Sequence, residues 1–205
     1  MLEKLAEVLA SAGLSDSFAP ISRFLIVLIN ESDRGMVLAG AAFIDSSLES
    51  LLRAFLTEST VTNALFTSNG PLSTFSSRNN MALSLGLIDS DIKRDIDLVR
   101  KIRNRFAHTE TLVSLKDSDA ANRLNELVCL KDFTSLITQL KPSDKLKTLA
   151  DTVHGSAKVH FLTSIGILLV YLSDAKSKFK QREECENHCA EWKRTYSKAP
   201  DAGAG

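Results

Sequence analysis

The chain has 205 residues, enough to bury about 70% of the surface its unfolded form would expose and to hold a core without disulfides or a metal. Lys and Arg number 25, as do Asp and Glu, so the formal net charge is zero. That balance excludes a chain whose main business is gripping nucleic-acid phosphates over its whole surface, although a local basic patch stays open. Only 9 Gly and 4 Pro leave little material for the turns of an all-β protein, and 44% hydrophobic with 24% charged residues is the composition of a globular, helical chain.

In chain order, Leu2, Leu5 and Leu9 with Gly13 behind them fit a short amphipathic helix. Pro20 opens a second helix through Ile21, Phe24, Leu25, Leu28 and Ile29. Ser32 and Asp33 start a long third helix, to about Thr57, that is apolar nearly all round from Met36 to Ile44 and so central to the core. Beyond that stretch Asp45, Glu49 and Arg53 form one polar stripe. Asn69-Gly70-Pro71 reads as a turn that feeds Pro71 into the first position of another helix, which stops at Gly86. Asp89 or Ser90 caps the next helix, to about His108, whose Ile92, Ile96, Val99, Ile102 and Phe106 repeat with helical period. A helix over about Asp119 to Leu130 follows, Lys141-Pro142 breaks the chain, and a last long helix runs from about Ser156 into the 180s. Val159 to Leu172 is apolar enough to bury, whereas Lys176 to Lys193 is densely charged. The expected architecture is an all-α helical bundle over 1–175, a charged extension of the last helix over 176–198 and a disordered Ala/Gly-rich tail over 199–205.

Cys129, Cys185 and Cys189 are an odd set, unlike the even framework of a secreted disulfide fold. Glu3 and Glu7 interrupt what would be the apolar core of a signal peptide. The two greasiest runs, Phe24 to Ile29 and Ile165 to Leu172, fall short of the roughly 20 apolar residues that span a bilayer. A cytoplasmic, soluble protein without a membrane partner is expected.

The most informative stretch is Arg103-Asn104-Arg105-Phe106-Ala107-His108. On a helical wheel Arg103 falls within the apolar stripe of Val99 and Phe106, where an unpaired guanidinium is costly. It calls for a carboxylate, with Asp45 or Glu49 the candidates, for an anionic ligand, or for a subunit seam. His108 is five residues on, about 140° away on an ideal helix, at a helix end where the dipole favours a protonated imidazole.

Arg-Asn followed by His at this spacing resembles the motif of the HEPN superfamily, many of whose members are all-α, metal-independent endoribonucleases, toxins or nucleotide-binding modules. More of the chain resembles the mannitol operon repressor family. The pieces are Glu31-Ser-Asp-Arg-Gly with the long apolar helix ending Leu48-Glu-Ser-Leu-Leu-Arg-Ala-Phe-Leu56, then Gly70-Pro-Leu, Leu83-Ser-Leu-Gly-Leu-Ile88 and Ile102-Arg-Asn-Arg-Phe-Ala-His108. Their order and spacing carry the resemblance over roughly residues 31–110, and Arg78-Asn-Asn-Met81 departs from the more apolar segment the family resemblance leads one to expect. The HEPN resemblance implies that His108 takes a 2′-hydroxyl proton, Arg103 holds the phosphate charge by bidentate contact and Asn104 orients one or the other, commonly across a helical dimer. The repressor resemblance implies a dimeric regulator working through another protein.

A helix-turn-helix is mimicked by Met81, Ala82, Leu85, Gly86, Leu87 and Ile92, but the would-be recognition helix sets Asp89, Asp91, Asp95 and Asp97 against Lys93 and Arg94, which phosphates would repel. Cys185, His188 and Cys189 give three soft ligands on one helix face without the fourth that structural zinc takes, so no metal is assigned, and His160 beside Phe161 reads as a packing residue. No phosphate-binding glycine loop, dinucleotide fingerprint or hydrolase elbow is present, and no cofactor is expected. The leading reading is a repressor-type transcriptional regulator. The alternatives are an endoribonuclease with Arg103, Asn104 and His108 at its site, and a non-catalytic nucleotide- or protein-binding module.

Overall fold

Ser32 holds the start of the longest described helix: its hydroxyl accepts the Gly35 N–H at 3.1 Å, and the Asp33 carboxylate sits in the first turn, where the helix dipole favours it. The computed structural model describes residues 15–109, 112–131, 156–178 and 191, and it holds helices α1 (Ser15–Leu28), α2 (Asp33–Phe55), α3 (Thr60–Leu65), α4 (Phe75–Ser84), α5 (Ser90–His108), α6 (Ser118–Asn125) and α7 (Ala157–Lys178). No strand occurs among the described residues, and the all-α expectation holds. The expected N-terminal helix, the Lys141-Pro142 break, Cys185, His188 and Cys189, the charged extension past Lys178 apart from Glu191, and the tail lie outside the described residues.

Helix α2 is the centre, packing on α7, α5, α4 and α1, with its largest contact to α7. The two run parallel. Lys158 near the start of α7 donates to the Glu31 carbonyl and pairs with Asp33, and Lys176 near its end donates to Ser50. Gly40 permits their approach, because a Cβ there would lie 3.2 Å from the Phe161 ring and 3.4 Å from Ile165. Both helices are long and apolar enough to cross a membrane by length and composition alone, yet each turns its apolar residues on the other and on the remaining helices. Burial of α2 is one-sided: Met36, Val37, Ala41, Ile44 and Leu48 are buried, whereas Phe43 is exposed and stacks on Phe24 of α1 at 4.1 Å. The all-round burial expected from composition is therefore corrected.

Three boundaries differ from the sequence expectation. Pro20 lies inside α1 and not at its first position, so the helix begins five residues earlier, at Ser15, and does without the one backbone bond that Pro cannot donate. Pro71 sits in the turn before α4. Thr74 is the cap, exchanging hydrogen bonds with Ser77 in a capping box, so a local polar pair decided the start. The expected Asp119–Leu130 helix stops at Asn125, and helical turns resume at Val128. The cause lies on α5. The Asp95 carboxylate, fully buried, accepts the N–H of Val128 at 3.0 Å and of Cys129 at 2.7 Å, capping a new helical start at that point.

The Gly86 stop was read correctly. Its φ is 68°, the Leu87 N–H reaches the Ala82 carbonyl and the Gly86 N–H the Leu83 carbonyl, closing α4 before Asp89 caps α5.

Replacing Asp95 with Ala strands the buried Cys129 N–H and the half-buried Val128 N–H, so it is expected to lower unfolding free energy by about 2–5 kcal/mol, with Asp95→Asn intermediate. Urea denaturation followed by circular dichroism measures both, and an Asp95→Ala midpoint equal to wild type would contradict the capping role.

Candidate functional site

Helix α5 carries the residues singled out above, and its two ends differ. In its first half every carboxylate but one has an internal task. Asp89 caps the helix, accepting from Asp91 and Ile92, and takes the Tyr171 hydroxyl at 3.2 Å. Asp95 caps the turn at Val128. Asp97 binds Lys93 and accepts from Arg100 Nε at 3.3 Å. Burial alone would raise the Asp97 carboxyl, but Lys93, Asn79 and Arg100 together outweigh it and hold it below the ordinary carboxylate value of 3.8. Asp91 stays exposed.

Helix α4 supplies what looked like a departure from the family pattern. Arg78 reaches across to α2, one terminal nitrogen 2.8 Å from Asp45 and the other 3.0 Å from Glu49, and Arg53 closes the stripe with Glu49 at 2.8 Å. Arg53 also lies 4.1 Å over the Phe66 ring, a cation–π contact. Asn79, wholly buried, donates to the Lys93 carbonyl at 3.0 Å, tying α4 to the first turns of α5.

The partner expected for Arg103 is therefore taken. Arg78 holds both Asp45 and Glu49, and Arg103 is exposed instead of buried in the stripe; its guanidinium donates to the side chain of Asn104 at 3.1 Å and forms no ion pair among the described residues. A wheel gives azimuth but not depth. Asp95 and Ile96, two turns earlier, meet the core, but at Arg103 the facing stretch of α2 offers Leu38, Ala41 and Ala42, two of them too short to fill the space. The result is a cleft of about 550 Å³ between α2 and α5, with Arg100, Arg103 and Asn104 on one wall and the first residues of α4 at its edge. His108 ends α5, is exposed and does not line the cleft. Arg103 and Asn104 are thus brought together, and His108 is not brought to them. Arg100 and the start of α4 were missed, since only the fold sets Thr74 to Ser76 beside α5.

His160 is buried in α7, its backbone carbonyl accepting from Ser164. Burial, and then the Asp95 carboxylate, push the Cys129 thiol well up, so it is a poor nucleophile. No group of three or more His, Cys, Asp or Glu side chains that could hold a metal occurs among the described residues.

These features define an all-α protein whose polar network serves to join helices. Residues 30–164, α2 through the first part of α7, match the family model described as "Mannitol repressor", more than half of the chain, and the chain belongs to the mannitol repressor family. Among solved structures, the chain in the X-ray structure of the MtlR–HPr complex from Escherichia coli is similar, at 18% identity and a TM-score of 0.56 over 75% of this chain and 98% of that one, a likeness of fold. No curated protein matches.

Because the Asp97 carboxyl is depressed, its stabilisation is full above pH 3.8 and is lost as pH falls through the lowered value. Asp97→Asn is expected to be less stable than wild type at pH 7, with the difference shrinking below pH 3.8, as read from urea midpoints across pH. A difference independent of pH would mean that charge at Asp97 contributes nothing.

Proposed function

We propose that this chain is a repressor-type transcriptional regulator that works through protein contact, as a cytoplasmic homodimer, and that its partner is an HPr protein. The observation that carries the reading is the family match over residues 30–164, which spans the central helix α2, the α4–α5 pair and the start of α7. The solved relative adds the partner, since its fold likeness extends over 98% of a chain captured with HPr.

Contact through protein is favoured over direct DNA reading by how α5 is packed. In a helix-turn-helix the second helix must leave one face free to enter the major groove. Here α5 packs on α2, α4 and α6, and Ile92, Asp95, Ile96, Leu98 and Val99 are buried within its first three turns. The exposed remainder of that half presents Asp91 and an Arg94 shared with Glu126, which gives phosphates little to hold.

Titration of the purified full chain with HPr from the same organism is expected to give saturable heat, and deleting the gene is expected to raise transcription of the mannitol operon. Unchanged transcription would sink the regulatory reading, and absence of heat would sink the partner.

A second reading, a HEPN-type metal-independent endoribonuclease, draws on one observation: Arg103 and Asn104 are accessible and no carboxylate holds Arg103 among the described residues. His108 lies outside their cleft, so this reading needs a second copy to supply the base. It is expected to show as RNA cleavage in EDTA with 2′,3′-cyclic phosphate ends, lost in Arg103→Ala and His108→Ala. An inactive wild type overturns it.

A further inference from the structure

The cleft between α2 and α5 is unusual in what it gathers and leaves unspent. Among the described residues Arg103 donates only to the neighbouring Asn104. Arg100 gives its Nε to Asp97 at 3.3 Å, leaving both terminal nitrogens without a partner among the described residues. Thr74, Phe75 and Ser76, the cap and first two residues of the ten-residue helix α4, line the same cleft. The N–H groups of Phe75 and Ser76 are among those that a helix leaves without an internal acceptor. The Thr74 hydroxyl serves Ser77, one position further on.

Opposite these donors the wall is apolar, built from Leu38, Ala41 and Ala42. The carboxylate in the cleft, Asp45, already faces Arg78 at 2.8 Å, so most of its charge is answered from α4. The balance at the mouth is an Arg103 guanidinium in no ion pair among the described residues, an Arg100 guanidinium paired through its Nε with Asp97, and an amide, against an Asp45 that faces Arg78. Planar guanidinium groups suit phosphate oxygens, which they meet in pairs. The volume, about 550 Å³, is that of a small-molecule site.

We propose that this cleft binds a small phosphate monoester, the phosphate on Arg103, Arg100 and the start of α4, and the rest of the molecule against Leu38, Ala41 and Ala42. A dianionic terminal phosphate matches cations gathered at one point, whereas a phosphodiester chain is better served by charges spaced along a track. Asp45, in the same cleft and paired with Arg78, keeps carboxylate lone pairs that can accept from a hydroxyl of the ligand. The site does not depend on the chain's being a regulator or on an HPr partner.

Glycerol 3-phosphate is the probe, with glycerol and inorganic phosphate as comparisons, titrated into the isotopically labelled full chain and read by nuclear magnetic resonance. Saturable shifts are expected at the Arg103 side chain and at the amides of Phe75 and Ser76, with glycerol silent and inorganic phosphate binding the same residues more weakly. Arg103→Gln is expected to weaken binding about tenfold or more, and Arg103→Lys to fall between. Lys101→Gln, which removes an exposed charge from the same helix outside the cleft, is expected to leave affinity unchanged. Arg103 joins no ion pair among the described residues, so its variants keep the wild-type fold, which the amide spectrum checks in the same experiment. No saturable shift, shifts centred elsewhere, or an equal loss in Lys101→Gln would overturn the proposal, as would tighter binding of a single-stranded RNA at these residues.

Discussion

Two helices of this chain cannot stand in water alone. α2 and α7 are each long and apolar enough to cross a membrane by length and composition alone, and their mutual contact is the largest among the described helices. The rest of the fold follows from covering what that pair leaves open. α1 closes over α7, where Gly166 receives Leu25 so closely that a Cβ would come within 2.9 Å of its Cδ1. α5 lays Ile92, Ile96, Val99, Ile102 and Phe106 in the core, with α2 as its main neighbour. Burial of this kind is non-directional, so it brings helices together without fixing how they sit.

Direction comes from polar contacts placed at the seams. Arg78 joins α4 to α2 through two carboxylates, Asn79 joins α4 to α5 through a backbone carbonyl, and Asp95 joins α5 to the turn at Val128. Arg34 and Asp33, at the start of α2, hold the segment that follows α5: Arg34 donates to the Thr109 carbonyl, and Asp33 accepts from Ser114 and from the Leu115 N–H. Arg78, Asn79, Asp95 and Asp33 are buried or half-buried, and such groups are costly when unmatched, so each of these four admits few alternative packings.

What the sequence made legible, and what it hid, follows the same division. Helical period exposes the apolar face directly, and Ile92 through Phe106 are buried as the spacing requires. Gly86 and Ser32 could be read because their signals are local. The break at Glu126 could not, since its cause is the Asp95 carboxylate, 33 residues upstream of the Val128 N–H that it caps. Asp95 itself was misleading: counted among charges facing outward, it is fully buried. Arg78 and Asn79 looked like a departure from pattern because their partners lie on other helices. Arg103 failed for a different reason, since a wheel cannot tell where along a helix the facing residues become small. The family was legible from the order of several weak pieces, whereas the cleft was not, because Thr74 to Ser76 and Arg103 meet only after folding.

The internal use of the α5 carboxylates also reshapes the outside of the molecule. With Asp89, Asp95 and Asp97 committed to caps and pairs, the free charges along α5 are sorted by position. Asp91 is exposed in the first turn, and Lys101 and Arg103 are exposed towards the last, beside His108. Within a chain of zero formal charge, the exposed side of α5 is therefore polarised along the helix axis. Such a surface exerts a torque on an approaching ion or charged partner before any contact forms. Its encounters should be oriented at low ionic strength and become progressively indifferent to direction as salt shortens the reach of the field.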